Sequence, residues 1–322
     1  MLRTRLCEMV GIDVPLIQAG MSLYTSPELA AAVSEAGALG SIGAWQRPAD
    51  QLRRDLEDLR ERTGRPFAIN HVVPDVRDDA FELSLHARPA VMSFALDDAG
   101  PLVARAHDVG SLAMQQVSTV EQAERAAENG IDLVVAQGGE AGGFGGGVAT
   151  MALVPQVVDA IDPVPVVAAG GIADGRGVAA ALALGAVGVN LGSRFLATAE
   201  APVGARWKAA LQQAPAEEWV KLAFVNDIRP NPGAVGYGTT VRGLRNEFTE
   251  RWEARRDELQ ADPTPAITEL GEAAGAGTIE ELLVFGGQSA GLINDLPSVA
   301  DVVRRLVAGA EDVLRRGPDF LC

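Results

Sequence analysis

The sequence predicts a (β/α)8 TIM barrel with a mainly helical C-terminal appendage, and three observations predict it. Short apolar runs alternate with helix-patterned segments from the N-terminus onward, the signature of βαβ units and a parallel sheet. Eight such runs follow one another without a separate Rossmann opening, which favours a closed barrel over a doubly wound sheet. The 322-residue chain is 48% hydrophobic but only 5% aromatic, and it carries 36 glycines among many Ala and Val. Small and β-branched side chains suit the layered interior of a barrel.

The eight strand candidates are PLIQAG from Pro15, LGSIGA from Leu39, FAINHVV from Phe67, AVMSFA from Ala90, SLAMQQV from Ser111, LVVAQG from Leu133, PVVAAG from Pro165 and GVNLGS from Gly188. A helix-like segment follows each. The first has Ser26 as N-cap, Pro27 at its first position and Gly37 at its end, and Asp174 precedes GRGVAAALALG, which ends at Gly185; these are ordinary helix start and stop signals. After Ala199 the rhythm changes. WKAALQQAPAEEWVKLA and EFTERWEARRDELQ read as long charged helices around a Pro/Gly-rich loop, RPNPGAVGYGTTVRG. The predicted organisation is a barrel over residues 1–200, a helical lid or substrate appendage over 201–290, and an amphipathic helix within 291–322 that packs back on the barrel.

A formal net charge of −16 and a pI near 4.6 repel phosphate backbones and anionic lipid, so nucleic-acid and membrane-surface roles are not expected. A small-molecule substrate is expected instead, and homo-oligomerisation is left open. Cys7 and Cys322 form no disulfide framework. Glu8, Asp13 and Pro15 interrupt any apolar leader, and no apolar run reaches about 18 residues, so a cytoplasmic chain is the expectation.

Barrel chemistry gathers where strands end, with phosphate often held after strands seven and eight. Gly170 and Gly171 end strand seven before a helix, where bare N–H groups and the helix dipole favour an anion. Gly192 and Ser193 end strand eight. No P-loop or dinucleotide fingerprint competes. The run VVAQGGEAGGFGGG after strand six has more glycines than packing explains. Glycine lets a flat ring approach the backbone, and Gln137 supplies an amide that both donates and accepts; a plain surface loop is the alternative. Gln115, at the end of strand five, is a further ring-facing candidate on geometry alone.

PLIQAGM, INHVVP, AQGGEAGG and AAGGIADGRGVAAALALGAVGVNLGSRFLATAE together resemble the nitronate monooxygenase family (2-nitropropane dioxygenases), which includes FMN-dependent enoyl-ACP reductases and NADH:quinone reductases. GGQSAGLI near Gly287 resembles the family's C-terminal segment. The resemblance implies FMN as cofactor, with NAD(P)H as an optional electron donor. It implies Met21, beside Gly20, against the flavin, Asn70 at the ring edge, and Gln137 and Gly142 lining it. Gly171 and the stretch Asn190, Leu191, Gly192 and Ser193 would hold the phosphate, with Gly170 alongside.

Members of that family that deprotonate nitroalkanes carry a histidine base directly after the Gly-Gly of EAGG. This chain has Phe144 there, and phenylalanine accepts no proton. Of the histidines, His86 and His107 fall in helical segments, whereas His71 follows Asn70 at a strand end. Strand alternation turns His71 toward the helices if Asn70 faces the ring, but it is the one histidine placed to serve as a base. Tyr237, in the lid loop, is a candidate to cover substrate, and Arg242 and Arg245 could meet the phosphates of a CoA or carrier-protein substrate. Three functions stay open: an FMN-dependent oxidase of nitronates or similar small activated substrates using O2, an NAD(P)H-dependent reductase of enoyl thioesters or quinones, and a non-catalytic flavin binder.

Overall fold

A computed structural model describes residues 2–228 and 232–317. Cys322 and the Arg229, Pro230 and Asn231 part of the lid loop lie outside the described residues. Eight parallel strands form the barrel: β1 (Leu16–Gln18), β2 (Gly40–Gly43), β3 (Phe67–Val72), β4 (Val91–Ala95), β5 (Leu112–Val117), β6 (Leu133–Gln137), β8 (Val166–Ala169) and β9 (Gly188–Leu191), with a short β7 (Gly143–Gly145) between the sixth and seventh. Their order is β1-β9-β8-β6-β5-β4-β3-β2, and the bridge between Ile17 and Leu39 brings the two ends together. All eight predicted strands are present.

Alternate side chains point inward and outward along each strand. Ile17, Leu39, Ala68, Val91, Met114, Leu133, Val135 and Val167 fill the interior. Ile42, Ile69, Met92, Phe94, Val134, Ala168 and Val189 face the helices. Helix Arg5–Val10 plugs the N-terminal end, placing Leu6, Cys7 and Val10 in the interior cluster. Six residues are too few to hold a helix alone, so packing holds it there. Ser26 caps helix Pro27–Glu35 by accepting from Leu29 N at 3.1 Å, as its sequence signals.

The segment after β9 makes only a four-residue helix, Ser193–Leu196. The outer ring is completed by Val299–Arg315, which lies against helices Gly175–Ala183 and Pro27–Glu35. The helix pair meets backbone to backbone: a Cβ on Gly175 would stand 2.4 Å from Ala310 N and from Gly309 C.

The region between departs from the helical reading. Helix Ala205–Gln213 stops ahead of Pro215, and the segment continues through a 3-10 turn, Ala216–Glu218, into β10 (Trp219–Lys221). The second charged segment divides into Glu247–Glu253 and Arg256–Ala261. TTVRG is a strand, β11 (Thr240–Leu244). β10, β11 and β7 form an antiparallel sheet in which Arg242 pairs with Gly143 and Val241 with Phe144. The glycine-rich run is therefore neither a loose loop nor part of the barrel wall. It is the edge on which the insertion docks, because glycine lets two backbones approach closely. Helical periodicity is short in these segments, and prolines and the pairing edge decide between helix and strand.

The Gly175 contact gives a stability prediction. Gly175→Val should lower the stability to urea by roughly 1–3 kcal/mol or more, because the added carbons have no space between two backbones. An unchanged urea midpoint would contradict this packing.

Candidate active site

Strand alternation sets the composition of the C-terminal mouth. The positions above the apolar interior are Asn70 and Ser93 on β3 and β4, Gln116 and Gln137 on β5 and β6, and Asn190 on β9. All continue the inward set of Ala68, Val91, Met114, Val135 and Gly188 by steps of two. Asn70 Nδ2 donates to Ser93 Oγ at 3.2 Å, and Gln116 Nε2 donates to Gln137 Oε1 at 2.9 Å. Asn190 Oδ1 is buried with no hydrogen-bond partner. A buried orphan acceptor normally costs about 1–3 kcal/mol, so it marks a place where a donor from outside the chain fits.

The same alternation corrects two sequence readings. Gln115 faces outward, not toward the mouth: its Oε1 accepts from Ala99 N at 3.0 Å and its Nε2 donates to Tyr237 Oη at 2.6 Å. Its neighbour Gln116 is the inward amide, a residue that counting by twos from Met114 finds. His71 also faces outward. It is fully buried, bonded through Nε2 to Ser84 Oγ at 2.9 Å and edge-on to Phe81. Burial pushes its pKa down to about 3, so it is a neutral packing residue and not a base at the mouth.

At the ends of β8 and β9, Gly170 and Gly171 adopt φ of +94° and +74°. The following helix starts only at Gly175, and its first amides are taken by Asp174, which accepts from Arg176 N and Gly177 N. The expected helix N-terminus is thus already capped. The amides of Gly171, Ile172 and Gly192 have no acceptor among the described residues. These backbone N–H groups are free to donate, that of Gly192 at the N-cap of the four-residue helix Ser193–Leu196. Met21 belongs to this corner, since a Cβ on Gly192 would lie 3.5 Å from its Sδ. Gly20 lies against Asn70, whose Cβ would be 2.2 Å from a Gly20 Cβ. Leu191 points into the helix-facing core, so only its backbone is near the mouth. Ser193 Oγ accepts from Gly287 N at 2.9 Å, which ties the GGQSAG segment to the end of β9.

Glycine 142 has a second reason to be glycine. A Cβ there would meet Gly286 C at 2.7 Å, so its close neighbour is the C-terminal segment. Phe144 stands over the mouth with Trp45 (ring centroids 6.3 Å apart), Val72, Ala95 and Leu96, forming an apolar wall.

The lid residues expected to contact substrate make bonds within the insertion and to the barrel rim. Arg242 is buried, donates to Trp219 O and, at 2.7 Å, to Gly139 O. Arg245 is exposed with its Nε 3.7 Å from Glu218. Tyr237 anchors the lid to the rim through Gln115 and, by its N–H, through Leu96 O at 3.0 Å. Burial, aided by Asp98 and Asp97, pushes its phenol well above the usual range. Lys221, one of only two lysines in the chain, was not singled out by sequence. Its Nζ donates to Gly145 O and to Thr240 O at 2.9 Å. Burial and the nearby Arg242 bring its pKa down to about 8. Its scarcity in a chain otherwise using arginine was the available signal.

The position of His71 fixes a pH dependence. Unfolded, the imidazole titrates near 6.5; folded, near 3. Between those values only the unfolded chain binds the extra proton. Stability present above pH 6.5 is therefore lost as pH falls, by up to about 1.4 kcal/mol per unit. His71→Asn should flatten that limb in urea unfolding between pH 7 and pH 4, and an unchanged slope would refute the assignment.

Comparison with known proteins places this geometry. A model of the nitronate monooxygenase family matches residues 3–309. A (3aS,4S,5R,7aS)-5-hydroxy-7a-methyl-1-oxo-octahydro-1H-indene-4-carboxyl-CoA dehydrogenase from Mycobacterium tuberculosis is 32% identical, over 96% of this chain and 96% of its own. A probable nitronate monooxygenase from Staphylococcus saprophyticus is 30% identical, over 98% of this chain and 99% of its own. The structure of FabK from Thermotoga maritima superposes with a TM-score of 0.90 at 30% identity, covering all of both chains. With an eight-stranded barrel, a polar mouth and these matches along nearly its whole length, the chain belongs to the nitronate monooxygenase family of oxidoreductases.

Proposed function

We propose that this chain is an FMN-dependent oxidoreductase that exchanges hydride with an apolar activated substrate of the enoyl-thioester or acyl-CoA class. The observation that carries this reading is Phe144. The residue at the position of the family's base is an aromatic wall beside Trp45, Val72, Ala95 and Leu96, while His71 is turned away behind the barrel. A wall of that kind favours an apolar substrate carbon and offers no group to remove a proton from a neutral nitroalkane. The likeness to a CoA-ester dehydrogenase supports the same class.

The residues present fit FMN. The amides of Gly171, Ile172 and Gly192 suit its phosphate, the lone Asn190 Oδ1 awaits a donor, and Asn70, Gln116 and Gln137 offer amides to a heteroaromatic ring edge. One phosphate cradle and no dinucleotide fingerprint favour FMN over FAD. Bound there, FMN would supply two-electron transfer, with NAD(P)H as the class of external donor when the enzyme runs as a reductase. The chain's own contribution is to orient substrate against the apolar wall and to exclude water by the docked insertion.

Nitronate oxidation is the second reading, and one observation favours it. A nitronate is already anionic and needs no base, and the Lys221 ammonium lies at the mouth to attract it. We further propose a cytoplasmic enzyme acting on small molecules, without nucleic-acid or membrane partners; no described helix is long and apolar enough to cross a membrane.

Three measurements follow. Flavin released by denaturation should chromatograph as FMN; recovery of FAD, or failure to take up FMN on reconstitution, overturns the cofactor reading. Gly171→Val should retain little flavin while staying folded, because φ of +74° disfavours a branched residue and moves the cradle amide. Wild type should turn over neutral nitroalkanes 10²–10⁴-fold less well than the nitronate or thioester, the usual contribution of a general base, and Phe144→His should raise the nitroalkane rate selectively. Efficient wild-type turnover of a nitroalkane would show that another group takes the proton.

A further inference from the structure

Among the described residues, Lys221 is a side-chain cation near the mouth whose position is set from two sides, and none of the roles above uses it fully. Lys221 lies on β10, in register with Arg242 of β11, which is in register with Gly143 of β7. Two of its N–H groups are committed to the carbonyls of Gly145 and Thr240, each at 2.9 Å. That leaves one donor. A Cβ built on Gly145 would lie 3.3 Å from Lys221 Nζ and 3.1 Å from Gln137 Oε1, so the ammonium and the inward amide border the same small space. Any side chain at 145 would fill it.

We propose that Lys221 is a substrate-contacting residue that holds the oxygen of the substrate, the thioester carbonyl or the nitronate, with its remaining N–H. The role rests on the proposed reading of the site as an oxidoreductase of thioesters or nitronates. Negative charge accumulates on the carbonyl oxygen when hydride adds to an enoyl thioester, and it is present from the start on a nitronate. A cation pinned by two carbonyls meets that charge with little reorganisation. Arg242 is held away from a direct role by its Nη1 and Nη2 bonds to Trp219 O and Gly139 O, while its Nε is buried without a partner.

The charged groups around Lys221 are few. Arg242 faces it from β11, and Glu140, at the start of the glycine-rich run, faces Arg242. Residues 141–147 contribute no titratable side chain. The cationic form should therefore be lost as pH rises through about 8, and oxygen binding should weaken with it.

The test uses the flavin-loaded protein and the variants Lys221→Gln and Lys221→Arg. Glutamine keeps a donor for the neighbouring carbonyls but removes the charge; arginine keeps the charge at all accessible pH. The first readout is binding of hexanoate, an apolar oxyanion probe, followed by the fluorescence of Trp45 and the other tryptophans. Wild-type affinity should fall at least tenfold between pH 7 and pH 9.5, Lys221→Gln should bind at least tenfold more weakly at pH 7, and Lys221→Arg should lose the pH dependence. The second readout is kcat/KM on an enoyl-CoA and on a nitronate, which Lys221→Gln should lower by about 10²–10³-fold, with flavin content unchanged. Wild-type binding and turnover in Lys221→Gln would overturn the assignment. If hexanoate binding depends on Lys221 but neither substrate class is turned over by wild type, the residue's role stands and the reading of the reaction fails.

Discussion

The mouth of this barrel depends on how the carbonyls of one glycine-rich run are held. Residues 138–147 leave the end of β6 with almost no side chains, so their peptide groups must find partners outside any helix. Two cations from the inserted sheet supply them: Arg242 takes Gly139 O, and Lys221 takes Gly145 O. Gly139 N donates to Val148 O and Gln288 N donates to Glu140 O, so the run is fixed from both edges. Removing Cβ atoms makes that approach possible at Gly142, where the nearest atoms are the backbone of Gly286 and Gly287. A flat cofactor and a docked insertion require the same small residues, and here the insertion uses at least one of them.

Much of this was legible before the structure, and the parts that were not share a cause. The eight strands and the caps at Ser26 and Asp174 follow from local periodicity and capping chemistry, which act over a few residues. Strand parity is equally local. Asn70 inward requires His71 outward, and Met114 inward requires Gln116, not Gln115, at the mouth. The first of these was weighed from sequence and the second was missed by a single step of register. What sequence did not reveal is long-range. Pairing of TTVRG with GFG joins residues about a hundred positions apart, and no local signal marks it. Arg242 and Arg245 looked alike as two loop arginines, yet the strand buries one against two carbonyls and leaves the other paired with Glu218.

Helix N-termini are common anion sites, and the glycines after β8 invited that reading. The structure separates the two features. Asp174 occupies the helix's first amides, and a negative side chain there makes the N-terminus a poor place for a second anion. Free N–H groups persist at Gly171, Ile172 and Gly192, in loops whose positive φ at Gly170 and Gly171 turns the peptide away from the helix. Loop amides of this kind can favour an anion without a macrodipole.

A net charge of −16 works against every anionic ligand at long range, yet screening confines that field to about 8–10 Å at ordinary ionic strength. Inside the mouth the decisive terms are local: three unpartnered amides at one corner and one ammonium near Gln137 at the other. The two lie at different strand ends, the amides at β8 and β9 and the ammonium beside β6 and β7. Phe144 adds a hydrocarbon cluster with Trp45, Val72, Ala95 and Leu96, and apolar surroundings of that kind strengthen nearby electrostatic contacts. Loss of the family's base and gain of an apolar cluster are then two consequences of one residue, and on the proposed reading Lys221 would act by holding charge, not by removing a proton.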